Sequence, residues 1–399
     1  MFVLLACGKE ELSEPTRMLP PSVEPPGIAV LPVEPVFLDA RPGAASPRLT
    51  AGASGAVLSW LERDGDGLRL RARSWGQEGA TQTVVSGGSL LQNWADLPSV
   101  VPGPNGWVAA WPQRRDAHGY DLQWSSRGQD GSWTPPVAVS DALEGQEFGF
   151  ISWAASPQGA LSAFWLDGRA STTSHGGAMQ LWTARVSAEG MLDRRMLDDR
   201  VCDCRQTAAV STARGPVVVY RDRDENEIRD IWVAGPGPQQ RRRVGLDDWR
   251  IEGCPVNGPS ISVSENTLAV AWFSGASTPG HVHVAFATDD QPFSEPIVVD
   301  DGSPLGRTDL VWVDGDSVAV VWMERVQAGA EVRIRRVSRT GWVSAPLRVA
   351  STEASRQAGF PHVERVGPEL ALAWVELSSG TPSIAAATAS IAALPKNTP

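Results

Sequence analysis

Hydrophobic residues along the chain fall into short runs that recur about every fifty residues. Each run is rich in Ala and β-branched residues and closes on an aromatic side chain, as at residues 56–60, 268–272 and 318–322. A Pro or another short residue stands thirteen positions before each closing aromatic, and consecutive aromatics lie 50 to 55 residues apart. The pairs are Pro47 and Trp60, Pro98 and Trp111, Ser152 and Trp165, Thr207 and Tyr220, Pro259 and Trp272, Asp309 and Trp322, and Pro361 and Trp374. A constant offset within a nearly constant period indicates a tandem repeat.

The repeat predicts the fold class. Small and branched residues in the runs favour strands that are covered on both faces. A period near fifty with about four short strands is typical of one blade of a β-propeller. Seven units therefore predict an all-β, seven-bladed β-propeller with four-stranded blades. A six-bladed sialidase-like propeller is the alternative if one unit is degenerate.

The ends of the repeat region predict how the ring closes. A fourth strand begins at a Pro about 24 residues after the aromatic, as at residues 136–139, 296–299 and 346–349. Trp374 lacks such a successor, because only one more strand, near residues 383–389, fits before the end. Residues 35–39 (Pro-Val-Phe-Leu-Asp) supply the missing pattern ahead of the first repeat. We therefore expect the N-terminal strand to complete the last blade, which removes exposed sheet edges.

The first residues carry a candidate membrane anchor. Residues 4–7 (Leu-Leu-Ala-Cys) resemble a bacterial lipobox, in which the cysteine, here Cys7, receives a lipid. A Pro- and Glu-rich stretch follows as a tether. The predicted domains are a truncated lipoprotein signal with its tether at 1–35, the propeller at 36–394 and a tail at 395–399. This organisation predicts a lipid anchor as the sole membrane contact and a place in the bacterial cell envelope, in the periplasm or on the cell surface. The alternative is an unstructured N-terminus in which Cys7 occurs by chance.

Composition limits the classes of binding partner that we expect. The 399 residues carry a net charge of −11, which disfavours nucleic acid because tracking phosphates needs dense Lys and Arg. Lys9 and Lys396 are the only lysines, so cationic recognition falls to Arg, which grips carboxylates and phosphates through two hydrogen bonds. A closed ring buries its own strands, so a monomer is expected.

One turn motif carries a family resemblance. Residues 126–133 (Ser-Arg-Gly-Gln-Asp-Gly-Ser-Trp) resemble the Asp-box of sialidases, Ser-x-Asp-x-Gly-x-Thr-Trp, with Gly128 in place of the first Asp. Residues 288–293 and 338–342 are weaker versions. Residues 220–231, followed by 254–259, resemble bacterial proteins classed as sialidase-like. Over residues 36–394 the resemblance implies a sialidase-like (Asp-box) β-propeller of the bacterial lipoprotein type.

The resemblance is weaker for activity than for fold. Sialidases carry a Phe-Arg-Ile-Pro-like motif in the first blade, which is absent from this chain. Their nucleophile is a Tyr late in the chain, whereas the only tyrosines here are Tyr120 and Tyr220. Tyr220 also occupies the position of the repeat's core aromatic. These departures favour binding over catalysis.

Two sets of polar residues define the predicted site. The connections that enter the first strand of each blade share one face, here called the top face. Arg205, Asn257 and Arg307 stand at equivalent positions of successive repeats on that face. Arg221 and Arg223 follow a core aromatic and form an outer set. We expect the four arginines to bind a carboxylate or phosphate, oriented by Asn257. The other acidic and Arg residues that follow the aromatics, such as Glu62, Asp167 and Glu324, are interpreted as a solvated rim.

Cysteines and acidic residues add further predictions to the same sector. Cys254 is expected to form a disulfide with Cys202 or Cys204, in keeping with an oxidising compartment. A metal site with three thiolates is the alternative. Asp222 and Asp224 form a candidate calcium loop, since carboxylate oxygens are preferred calcium ligands. No other cofactor is expected.

Two functions follow from these patterns. The first is a lipid-anchored propeller that binds a glycan, an anionic small molecule or a protein partner on its top face, without chemistry. The second is a sialidase-like exo-glycoside hydrolase with Asp222 or Asp309 as acid/base and an unassigned nucleophile. Hydrolysis needs two carboxyl groups that face each other across a pocket, whereas binding needs only convergent donors.

Overall fold

The strands form seven separate four-stranded antiparallel sheets. The computed structural model describes residues 27–52, 55–76, 80–103, 105–115, 119–141, 146–156, 159–171, 177–203, 206–235, 241–253, 255–377 and 380–396. Apart from two short 3-10 turns, the secondary structure of these residues is entirely β. None of the described segments is a helix long and apolar enough to cross a membrane.

Blades 1 to 6 each contain four strands consecutive in the chain, and blade 7 contains three C-terminal strands and the first strand. Blade 1 contains β2 (Ala45–Gly52), β3 (Gly55–Asp64), β4 (Gly67–Ser74) and β5 (Gln82–Gly87). Blade 2 contains β6 (Ser99–Gly103), β7 (Gly106–Arg114), β8 (Tyr120–Ser126) and β9 (Val137–Ala138). Blade 3 contains β10 (Phe148–Ala155), β11 (Leu161–Asp167), β12 (Met179–Ser187) and β13 (Gly190–Val201). Blade 4 contains β14 (Ala208–Thr212), β15 (Gly215–Arg221), β16 (Ile231–Ala234) and β17 (Arg241–Arg243). Blade 5 contains β18 (Ser260–Ser264), β19 (Thr267–Ser274), β20 (His281–Thr288) and β21 (Ile297–Val298). Blade 6 contains β22 (Pro304–Trp312), β23 (Ser317–Val326), β24 (Gly329–Ser338) and β25 (Leu347–Thr352). Blade 7 contains β26 (His362–Val366), β27 (Glu369–Glu376), β28 (Ser383–Ser390) and β1 (Glu34–Pro35).

Blades pack face to face around a central channel. The first strand of each blade contacts the first strands of both neighbouring blades, so these strands form a closed ring. Seven hydrophobic clusters join adjacent blades, and the cluster between blades 7 and 1 also includes Met323 and Ala330 of blade 6. The second strands are therefore buried on both faces, which explains their unbroken apolar runs. The predicted seven-bladed propeller is confirmed, and the six-bladed alternative is wrong.

The ring closes through the N-terminal segment. Glu34 and Pro35 of β1 lie opposite Thr388 and Ala387 of β28, and the Val36 N–H donates to the Ala386 carbonyl at 2.8 Å. The chain already contacts the propeller before β1, since the Leu31 N–H donates to the Arg348 carbonyl at 2.9 Å. Leu31 is 1% exposed and packs between blades 6 and 7. The closing strand β1 is therefore held by a hydrophobic contact as well as by its backbone hydrogen bonds to β28.

Acidic residues that follow the core aromatics are not a solvated rim. Glu62, Asp167 and Glu324 are at most 2% exposed. Each accepts a hydrogen bond from the indole N–H of the tryptophan two positions earlier, at 2.6 to 3.2 Å. The expectation of solvated residues is wrong for these three because the i and i+2 side chains of a strand share one face.

Innermost strands begin with a repeated backbone irregularity. Ladder register shifts at the start of β2, β10 and β22. Ser46, Phe150 and Arg307 adopt positive φ values of 57°, 58° and 55° at these shifts. Such bulges redirect side chains and are frequent beside binding sites. In this protein they shape the top face around the channel mouth.

Candidate functional site

An aromatic and cationic cluster lies on the top face. Trp94, in the connection from β5 to β6, stacks on Phe360, with ring centroids 5.9 Å apart and an interplanar angle of 15°. The Cζ atoms of Arg307 and Arg356 lie 5.3 Å and 5.6 Å from the Trp94 ring centroid. Two guanidinium groups next to one indole ring form a cation–π arrangement. We call these four residues the Trp94 cluster.

Asn257 holds the backbone that presents Arg307. Its Oδ1 accepts from the Arg307 N–H at 2.8 Å, and its Nδ2 donates to the Leu305 carbonyl at 3.2 Å. A non-glycine residue at a positive φ such as 55° carries backbone strain, which these two hydrogen bonds help to offset. The structure thus brings Asn257 and Arg307 together, with Asn257 as a support for the backbone.

Arg307 has only neutral hydrogen-bond acceptors among the described residues. Its Nη1 donates to the carbonyls of Ser355 and Gly359 at 2.9 Å and 3.0 Å. Burial, together with the positive charges of Arg356 and Arg325, lowers the pKa of Arg307 to about 10. Three guanidinium groups therefore raise the local potential without a carboxylate bound to Arg307. Such a potential favours an anion.

A cavity of about 320 Å³ opens beside this cluster. Trp94, Arg356 and Gly359 line it together with the amide side chains of Gln92 and Gln357. Arg356, Gln92 and Gln357 are exposed, so they are accessible to a ligand from solvent. The cavity combines an aromatic surface, a cation and two amides, which is a mixture suited to recognition of a polar ligand.

A second cavity, of about 630 Å³, occupies the central channel. Asp309, His362, Glu364 and Arg48 line it. Asp309 Oδ2 lies 3.2 Å from His362 Nδ1 and accepts from the Val363 N–H at 3.1 Å. Burial, and then the charge of Asp309, raises the pKa of Glu364 to about 8. Asp309 is thus placed near the axis, with a carboxyl and an imidazole close to it.

The outer arginines of the predicted site are engaged within the protein. Arg221 is 1% exposed, and its guanidinium donates to the carbonyls of Arg229, Asn257 and Phe273 at 2.7, 3.3 and 2.7 Å. Arg223 forms ion pairs with Glu227 at 2.8 Å and with Asp203 at 3.1 Å. Arg221 joins blades 4 and 5, and Arg223 closes a loop. Neither residue is brought to the Trp94 cluster.

Asp222 belongs to a buried polar group between blades 3 and 4. Arg241 Nη2 lies 2.6 Å from Asp198 Oδ2 and 3.3 Å from Asp222 Oδ1. The Tyr220 hydroxyl donates to Asp198 Oδ2 at 2.7 Å. Burial, and then the charge of Asp198, raises the pKa of Asp222 to about 7. Asp222 and Asp309 therefore lie in different environments, and only Asp309 lines the channel.

The candidate calcium loop uses its carboxylates in other ways. Asp224 Oδ1 accepts from the backbone N–H groups of Asn226 and Ile228, both at 2.8 Å, while Asp222 faces Arg241. Within the described ranges, no group of three or more His, Cys, Asp or Glu side chains is arranged to hold a metal ion.

Cysteine pairing stays a prediction. Cys202 is fully buried, and Arg229 Nη1 donates to its Sγ at 2.9 Å. Cys204 and Cys254 lie outside the described residues, as do Arg205 and Cys7. The disulfide, the lipidation and the role of Arg205 are therefore expectations from the sequence alone.

Sequence reasoning missed most of the Trp94 cluster and the channel residues that accompany Asp309. Trp94 and Arg356 lie in connections between blades, where the repeat has no fixed phase. Phe360, His362 and Glu364 lie at or beside the start of β26, and Arg48 lies within β2. The signal that was present is position: His362 and Arg48 directly follow the repeat's Pro and are polar where a core residue is expected.

Comparisons with known proteins support the fold. No family model matches the chain, and no curated protein matches its sequence. A protein of unknown function from Dyadobacter fermentans superposes with a TM-score of 0.50 at 10% identity, covering 92% of this chain and 100% of that chain. The polysaccharide lyase Uly1 superposes with a TM-score of 0.51 at 11% identity, covering 91% and 90% of the two chains. A NanB sialidase from Streptococcus pneumoniae gives a TM-score of 0.45 at 7% identity, covering 88% and 86%. Similarity at these identities is similarity of fold alone, because propellers serve many functions.

Proposed function

We propose that this propeller is a binding protein whose top face recognises the carboxylate of an anionic sugar, such as a sialic or uronic acid unit. The observation that carries the proposal is the convergence of Arg307 and Arg356 on the Trp94 ring, with only neutral acceptors on the Arg307 guanidinium. An anionic ligand relieves the repulsion among these groups and gains charge-assisted hydrogen bonds.

The neighbouring groups suit the rest of a sugar. Trp94 offers an aromatic face, and Gln92 and Gln357 offer amide donors and acceptors to hydroxyl groups. An inorganic phosphate or sulfate would use the arginines alone. The aromatic ring and the amides therefore favour a carbohydrate acid over a simple anion.

The proposal includes a location and a state. The propeller is held at the bacterial cell envelope by a lipid on Cys7 and acts as a monomer. The lipobox at residues 4–7 supports the anchor, and ring closure by β1 supports the monomer. Metabolic labelling with a fatty-acid analogue in the natural host, compared with a Cys7→Ser variant, tests the anchor. Loss of label in the variant supports it, and equal labelling overturns it.

Calorimetric titration tests the ligand. The probes are N-acetylneuraminic acid, 3′-sialyllactose and glucuronic acid, with lactose as the uncharged comparison. We expect Arg356→Ala and Trp94→Ala to weaken binding of the acidic sugars at least about tenfold, which is about 1.4 kcal/mol. Matched controls come from a second arginine–indole pair, Arg127 over Trp107 with Cζ 5.6 Å from the ring centroid. Arg127→Ala and Trp107→Ala retain affinity.

Two results contradict the binding proposal. The first is that no acidic sugar binds to the folded protein at millimolar concentration. The second is that binding is weakened equally by the variants of the Trp94 cluster and by the controls. Affinity that falls with added salt is expected, since ions screen partly exposed charges.

Hydrolysis is a second candidate because the channel contains two carboxyl groups of different character. Asp309 and Glu364 line the same cavity, and the raised pKa of Glu364 suits a general acid. A hydrolase of this type uses Glu364 as the acid and Asp309 as its partner. Fluorogenic sialosides and neutral glycosides test it over hours of incubation. Turnover that is lost in Glu364→Gln and Asp309→Asn establishes an enzyme, and the absence of turnover on all substrates leaves the binding function.

A further inference from the structure

The central cavity is built by every blade of the propeller. Its lining comes from the innermost strands β2, β6, β10, β14, β18, β22 and β26 and the residues beside them. A volume of about 630 Å³ falls in the range of small-molecule sites. It is distinct from the smaller cavity beside Trp94, and Phe360 is the residue that lines the channel and also stacks on Trp94.

Charged groups of both signs share the channel wall. Arg48 comes from β2, Asp309 from β22, and His362 and Glu364 from β26. Burial lowers the pKa of Arg48 to about 10, opposed by the charges of Asp96 and Asp309. A strongly anionic ligand would meet Asp309, and a cationic ligand would meet Arg48. The wall therefore favours a ligand without net charge.

His362 offers an acceptor. Its Nδ1 faces the Asp309 carboxylate at 3.2 Å, and a carboxylate only accepts hydrogen bonds. The neutral ring therefore carries its proton on Nδ1 and keeps a lone pair on Nε2. This is the tautomer that the hydrogen-bond geometry assigns.

Four polar atoms of the lining residues lack a hydrogen-bond partner within the described part of the protein. They are Trp153 Nε1, His362 Nε2, Ser260 Oγ and Thr308 Oγ1. These residues are 7%, 9%, 5% and 8% exposed, and all four line the cavity. Buried polar atoms are normally satisfied, so a set of four around one cavity points to a ligand rich in hydrogen-bonding groups.

We propose that the central cavity binds a neutral sugar unit, at a site separate from the Trp94 cluster. Each hydroxyl of a sugar both donates and accepts, and so can pair with Arg48, Asp309 and His362 in turn. Trp153 and Phe360 add aromatic surface to the lining. At neutral pH the protonated carboxyl of Glu364 supplies both a donor and an acceptor.

The test uses the whole chain and four named probes. Glucose, galactose, mannose and N-acetylglucosamine are each examined by saturation-transfer NMR and then by calorimetry. We expect at least one sugar to bind with one-to-one stoichiometry. Asp309→Asn, which removes the charge next to His362, is expected to weaken this binding at least about tenfold.

A second variant guards against loss of folding. Ser262→Phe adds bulk to the partly buried cavity wall without removing Arg48, Asp309 or His362. We expect it to block the sugar while leaving the circular dichroism spectrum and the thermal midpoint close to those of the parent. Arg339→Ala, at an arginine whose side chain is 49% exposed, is the control that keeps binding.

Three results overturn the proposal. None of the four sugars binds the folded protein; a sugar binds equally well to the parent and to folded Asp309→Asn and Ser262→Phe; or binding is lost in Arg356→Ala and retained in both channel variants. The third result places the sugar on the top face. The acidic-sugar titrations report on the Trp94 cluster independently of all three.

Discussion

The indole nitrogen of Trp322 donates a hydrogen bond of 2.6 Å to Oε2 of Glu324, two residues further along β23. The same relationship links Trp60 to Glu62, Trp111 to Gln113 and Trp165 to Asp167, at 3.1 to 3.2 Å. Each blade of this group thus supplies the acceptor for its own buried tryptophan. In blades 1, 3 and 6 the acidic residue therefore satisfies a buried indole N–H, and its charge is not directed at a ligand.

Glu324→Ala is expected to lower the free energy of unfolding by about 1–3 kcal/mol, because it leaves the Trp322 N–H buried without an acceptor. It also removes the acceptor of the Ser303 N–H, at 2.7 Å. Urea denaturation measures the change. Glu369→Ala, at an exposed glutamate, is the control and is expected to change the free energy by less than about 0.5 kcal/mol. Equal effects of the two substitutions would show that the indole contact does not matter.

Two adjacent residues of the N-terminal segment test ring closure. Leu31 is 1% exposed, whereas Val30 is 54% exposed. Leu31→Ala leaves a cavity between blades 6 and 7 and is expected to cost about 2–5 kcal/mol of unfolding free energy. Val30→Ala is expected to have little effect. Urea denaturation of both variants measures the change in unfolding free energy. A Leu31→Ala protein as stable as the parent would mean that this segment does not anchor β1.

Asn257→Ala is expected to reduce both stability and binding. The substitution removes two hydrogen bonds that hold Leu305 and Arg307, at a cost of about 1–3 kcal/mol. The Arg307 backbone then relaxes from its positive φ, which lowers the affinity for the acidic sugar. Asn266→Ala, whose exposed amide contacts Asp289, is the matched control. Thermal denaturation and calorimetric titration provide the two measurements. Unchanged values in both would show that Asn257 does not support the binding site.

Stability is expected to fall as the pH rises from about 4.5 to about 8, because Glu364 holds its proton in the folded state over this window. Burial and then Asp309 raise the pKa of Glu364 to about 8, while an unfolded glutamate has a pKa of about 4.3. Between these values the folded protein binds more protons than the unfolded chain, so the free energy of unfolding decreases with pH. The slope is on the order of 1 kcal/mol per pH unit.

Glu364→Gln isolates this contribution. The variant cannot titrate at residue 364, so its stability falls less steeply with pH. It keeps the decline from Asp96 and Asp222, whose pKa values burial raises to about 7. Urea midpoints measured at several pH values between about 5 and 8.5 provide the test. Parallel profiles for the parent and the variant would show that Glu364 ionises normally in the folded protein.

Repetition made the architecture predictable. The constant offset between residues such as Pro259 and Trp272 marks the same two strands in every blade, and strand periodicity is a local property of the chain. The Pro at the start of each fourth strand worked in the same way, since β9, β21 and β25 begin directly after Pro136, Pro296 and Pro346. The missing fourth strand of the last repeat even predicted the exchange that β1 makes.

The burial and orientation of individual side chains were not predictable from the same pattern. Arg221 and Arg307 both appeared as donors for a ligand, yet Arg221 is covered by three carbonyls of neighbouring segments. Arg307 instead lies against Trp94, because the bulge at the start of β22 turns its backbone to a positive φ. A one-residue shift in a ladder changes the face to which a side chain points, and the sequence does not mark that shift.

The sequence by itself determined the number of blades, the order of strands and the way the ring closes, because each depends on periodicity within one stretch of chain. Tertiary structure alone decided which residues meet at the axis. Trp94 and Arg356 come from two different connections and Arg307 from the start of β22, whereas Arg48, Asp309 and Glu364 come from blades 1, 6 and 7. Their convergence depends on the closure of seven blades into a ring, which brings residues up to 316 positions apart into one cavity.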